Sequence, residues 1–74
     1  MKNKLVKVNR SVWENDIRGE INKWKEFSES YFCNTKECKE FTLQTIERLQ
    51  EILETLLQKN GLTEEQIQWF LYTA

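Results

Sequence analysis

Residues 35–60 read TKECKEFTLQTIERLQEILETLLQKN, and this stretch decides the fold. Apolar or small side chains recur at Thr42, Ile46, Leu49, Leu53 and Leu56, in alternating steps of four and three, and then comes Asn60. That alternation is a heptad seam of about two and a half repeats, so the spacing predicts a long helix. Asn34 with Glu37 three residues later is a capping signal, with Asn34 as N-cap. Gly61 is the expected left-handed stop. The predicted helix covers residues 35–60. Two glycines and no proline leave few other positions where the backbone must break.

Upstream, Trp13, Ile17, Ile21, Trp24, Phe27 and Tyr31 fall within about 120° on a helical wheel. Ser11 and Glu14 form an S-x-x-E capping box, so a helix is predicted over 12–32. Gly19 lies on the opposite, wet face, where it lowers helix propensity by ~1 kcal/mol without disturbing packing. Downstream, Thr63 and Gln66 form another capping box, and Leu62 and Ile67 occupy the positions of a hydrophobic staple. Glu64 and Glu65 sit at the positive end of the helix dipole. A short helix over 64–73 is predicted to fold back on its predecessor. Lys4–Val8 has weak strand character, but an unpaired strand is not stable alone. The expected fold is all-α: an antiparallel helical hairpin with a short third helix. Residues 1–10 form a basic arm and 11–74 a single small domain.

The chain has 74 residues, 39% hydrophobic and 31% charged, which predicts one small soluble domain with a thin core. Absence of histidine removes the commonest general base and the commonest metal ligand. Two cysteines cannot complete a structural zinc site. No catalytic residues, metal or cofactor are therefore expected. Eleven bases against twelve acids give a net charge of −1, unevenly placed. Lys2, Lys4, Lys7 and Arg10 stand in the first ten residues without an acid, so the body is acidic. A nucleic-acid-binding domain usually carries a basic face on its body. No stretch approaches the ~20 apolar residues of a membrane span. The basic start lacks the apolar run of a signal peptide, so a cytoplasmic location away from membranes is expected.

Cys33 and Cys38 read as N′ and N4 of the second helix, the staple positions. A disulfide between them would stabilise by roughly 2 kcal/mol. As free thiols they would act as small apolar residues. A cysteine nucleophile would lack its usual histidine.

The seam of the long helix is flanked by Leu43 and Leu57 on one side and by Ile52 and Phe41 on the other. Together these span about 200°, more than one antiparallel neighbour covers. Ile67, Phe70 and Leu71 of the last helix are expected to cover another strip. Phe41 and Ile52 are the residues expected to remain uncovered, at ~1.5–3 kcal/mol each if left wet. Their cover could be Leu5, Val6 and Val8 of the arm, a second copy in a homodimeric bundle, or another protein. Trp69 and Tyr72 share the opposite face of the short helix and are residue types common among interface hot spots. Trp13 and Trp24 are expected in the core. Glu20, inside the first stripe, is expected at the rim, reaching water or Arg48. Glu37, Glu40, Glu47, Glu51 and Glu54 form a line of negative charge stepping about one turn, ~5.4 Å, along the long helix. It reads first as a solvated face, with Lys36, Lys39 and Arg48 diluting the field.

Two function classes remain. The preferred one is a non-enzymatic module that docks on another protein and modulates or inhibits it. Phages and mobile elements encode many such proteins against host nucleic-acid-handling or defence machinery, an analogy of size and class. The alternative is a dimeric nucleic-acid-associated regulator contacting phosphate through the arm.

Overall fold

The computed structural model describes residues 4–73. The chain runs through β1 (Leu5–Lys7), α1 (Arg10–Ser28), α2 (Lys36–Lys59), β2 (Gly61–Thr63) and α3 (Glu64–Thr73). The hairpin of α1 and α2 with a short third helix is the expected all-α architecture, joined by a two-stranded sheet.

α1 starts two residues before its predicted position. Asn9, not Ser11, is the N-cap, and its side chain accepts the Val12 N–H at 3.3 Å. Glu14 does not fold back to complete a capping box. Its carboxylate is drawn along the helix, 3.7 Å from Arg10 and 3.3 Å from Arg18. The helix also ends at Ser28, short of the predicted residue 32. The Ser28 and Ser30 hydroxyls donate to the Lys25 and Phe27 carbonyls, both at 2.7 Å. The same carbonyls also accept the Glu29 and Ser30 N–H groups at 3.3 and 3.0 Å, so the last turn is closed by backbone and side chain together. Tyr31 consequently leaves the stripe and is exposed. Ile17 and Ile21 are buried, and Trp13 and Trp24 pack half-buried against the core.

α2 begins on Thr35 in place of Asn34, with the Thr35 Oγ1 accepting the Cys38 N–H at 3.1 Å. Its far end differs too. Asn60 takes the left-handed conformation at φ 53°, a geometry asparagine tolerates better than most side chains, and Gly61 does not. Glycine is needed at position 61 for another reason. A Cβ there would stand 2.6 Å from the Val6 carbonyl oxygen. The inner face of α2 carries Thr42, Thr45, Ile46, Leu49, Ile52 and Leu56. Thr42 and Thr45 can be buried because their hydroxyls donate to the Cys38 and Phe41 carbonyls at 2.7 and 2.9 Å.

The strand character of residues 4–8 finds its partner at the other end of α2. β1 pairs antiparallel with β2 in the register Leu5↔Thr63, Val6↔Leu62, Lys7↔Gly61. α3 occupies its predicted span, and its capping box forms reciprocally. Gln66 N–H donates to Thr63 Oγ1 at 3.1 Å, and Thr63 N–H to Gln66 Oε1 at 3.0 Å. The Gln66 amide also donates to Thr55 Oγ1 at 3.1 Å, tying α3 to α2. The core is built from Ile17, Ile21, Leu49, Ile52, Leu56, Leu62 and Phe70, so each helix and β2 contribute.

Candidate functional site

The two residues expected on the uncovered shoulder of α2 part company. Ile52 is 1% exposed, because β2 and α3 fold back over that end of the helix and place Leu62 in the same cluster. It is core and no partner can reach it. Phe41 lies three turns earlier, beyond that cover, and remains 61% exposed. Its ring meets Trp24 edge-on at a centroid distance of 6.1 Å. Of the arm, Val6 pairs with Leu62 and Val8 packs on the cluster that contains Ile52, whereas Leu5 is partly exposed; Phe41 stays exposed.

From Phe41 a groove of about 450 Å³ runs between α2 and α3, with Trp69 as its opposite aromatic wall. Gln44, Glu47, Arg48 and Glu51 line it from α2, above the buried Thr45. Trp69 is not freely exposed. It packs against the core, and the Arg48 guanidinium lies 5.5 Å from its ring centroid. The same guanidinium reaches Glu65 at 3.8 Å. Arg48 is thus held by α3 and does not serve Glu20, which pairs with Lys23 at 3.6 Å. Tyr72 points away from the groove and is 92% exposed, and Leu71, expected to cover α2, is also exposed.

Glu37, Glu40, Glu47, Glu51 and Glu54 are all exposed. Glu54 accepts the Gln58 amide at 3.1 Å. Among the described residues, no cation lies within 4.0 Å of the other four carboxylates. Of the basic arm, Lys4 and Lys7 are exposed on or beside β1, whereas Arg10 is engaged by Asn60 and Glu14. Lys2 lies outside the described residues.

The hairpin tip was not singled out by sequence periodicity. Tyr31 and Phe32 are more than four-fifths exposed, with rings 6.1 Å apart. The serines at 28 and 30, whose hydroxyls bond carbonyls of the last turn, were the signal that could have revealed them.

Cys33 and Cys38 are free thiols, so the disulfide is not formed here. With Thr35 as N-cap, they stand at N″ and N3 and not at the staple positions. Cys33 is buried, its Sγ 3.7 Å from Thr42 Oγ1. Hydrogen bonding with the Cys33 side chain, and then desolvation, push the Cys38 thiol above its ordinary value. Less thiolate at a given pH means slower chemistry. A chromogenic disulfide reagent is therefore expected to modify native Cys38 more slowly than a free thiol. Cys33 should react only after denaturant is added. Equal, immediate reaction of both would contradict this packing.

The chain matches no known protein family, no curated protein and no solved structure. Among the described residues, no helix is long and apolar enough to cross a membrane.

Proposed function

We propose that this chain is a small non-enzymatic module that docks on another protein and modulates or inhibits it. One observation carries the reading: Phe41 stands 61% exposed at the mouth of a groove walled by a second aromatic, Trp69. Aromatic side chains offer large contact area at low rotamer cost, and they dominate interface energetics. The size, the helical class and the lack of histidine support a cytoplasmic phage or mobile-element inhibitor of host nucleic-acid-handling or defence machinery. A homodimer through the Phe41 face is the competing occupant.

Phe41→Glu tests this. Because Phe41 is mostly exposed and loses only its edge-on contact with Trp24, the change should cost no more than about 1.5 kcal/mol of folding stability by urea unfolding. The wild-type chain should form a stable complex with a protein from host extract, and the variant should lose it. A mobility shift of DNA or RNA that fades steeply with salt would instead favour the regulator reading. Self-association in ultracentrifugation, abolished by Phe41→Glu, would assign the face to a second copy.

A further inference from the structure

We infer that the groove between α2 and α3 takes a basic amphipathic segment of a partner protein, its cations set against Glu47 and Glu51 and its apolar side against Phe41. This assignment rests on the docking reading above and names the chemistry of the partner. Glu47 and Glu51 stand one turn apart on the groove wall, and among the described residues neither has a cation within 4.0 Å. The cation lining the groove, Arg48, is already held between Glu65 and the Trp69 ring. α2 and α3 together carry seven acids against four bases, so the field at the groove is negative and repels phosphate. Lysine and arginine lay their apolar stems along aromatic surface while the charged head stays wet, which matches a groove lined by Phe41 and Trp69 together with Glu47 and Glu51.

The helices of a second copy do not supply such a segment, and the strand of its basic arm is already paired with its own β2. α1 carries four bases and four acids, and α2 and α3 are each acidic in excess. The complementary element must come from another chain. An amphipathic helix laid in a groove is a common form for it.

The test uses the full chain, labelled with nitrogen-15, and two synthetic helical peptides. They share one leucine pattern, and their polar positions are all lysine in one and all glutamate in the other. The Trp69 indole signal is identified by its absence in Trp69→Phe. The lysine peptide is expected to shift that signal and the amides from Phe41 to Glu51, and the glutamate peptide to leave them in place. Glu47→Gln combined with Glu51→Gln should weaken lysine-peptide binding about fivefold, as expected for loss of two exposed ion pairs. Equal response to both peptides, no response to the lysine peptide, or unchanged affinity in the double variant would overturn the assignment. Partner capture that depends on Phe41 is a separate readout. If capture persists while the lysine peptide fails, docking stands and the basic segment falls.

Discussion

Phe70→Ala is expected to remove about 3–5 kcal/mol of folding stability, the range for truncating a buried aromatic. Phe70 is 5% exposed and is the one buried side chain of α3 among the described residues. Its ring meets Trp13 of α1 at a centroid distance of 5.5 Å, so a single side chain ties the last helix to the first. A chain of this length holds on the order of 4–11 kcal/mol in total. The variant should therefore stand close to unfolding at room temperature. Its melting temperature should fall by about 12 °C or more. Thermal and urea unfolding followed by circular dichroism would show it. A loss below about 1 kcal/mol would mean that α3 is an appendage and not part of the core.

Gly61→Ala should also destabilise, and here the sign is the informative quantity. Alanine lowers the entropy of the unfolded chain, which alone would stabilise by about 0.4–1 kcal/mol where the backbone is compatible. Gly61 has no left-handed φ to forbid the change. The new Cβ, however, would stand 2.6 Å from the Val6 carbonyl oxygen and 3.2 Å from Leu5 Cγ. The first of these is backbone and cannot rotate aside, so β1 must move. The overpacking cost of about 1–3 kcal/mol outweighs the entropy gain. Gly19→Ala is the control, since nothing lies within 4 Å of its added methyl. That variant should gain about 0.5–1 kcal/mol from helix propensity. Stabilisation by both substitutions would refute the close approach of the strands.

How far the sequence could be read depended on how local each determinant was. The bounds of α3 followed because Thr63 and Gln66 cap one another three residues apart. The seam of α2 followed because burial on a helix repeats with its turn. The start of α1 was misjudged because Glu14 had three possible partners, and only the folded geometry shows the two arginines winning. Phe41 and Ile52 show the limit most clearly. Eleven residues apart, they share nearly the same angle around α2, and a helical wheel cannot separate them. What separates them is height along the axis. At the height of Ile52 the neighbouring elements close over the helix, whereas at Phe41 they leave an open groove toward α3. The groove was out of reach for the same reason, since it needs the docked position of α3. The thiols shifted with the cap: moving it from Asn34 to Thr35 moved both off the staple positions.

The pairing of β1 with β2 joins segments more than fifty positions apart. During synthesis β1 leaves the ribosome first, and its partner follows several seconds later at about 5–20 residues per second. Throughout that wait Leu5 and Val6 present an unmatched edge to every neighbouring nascent chain. Lys4 and Lys7 flank them, and charge beside a short apolar strand is a guard against premature pairing with strangers. Lysines beside β1 thus disfavour its pairing with other chains before β2 is made.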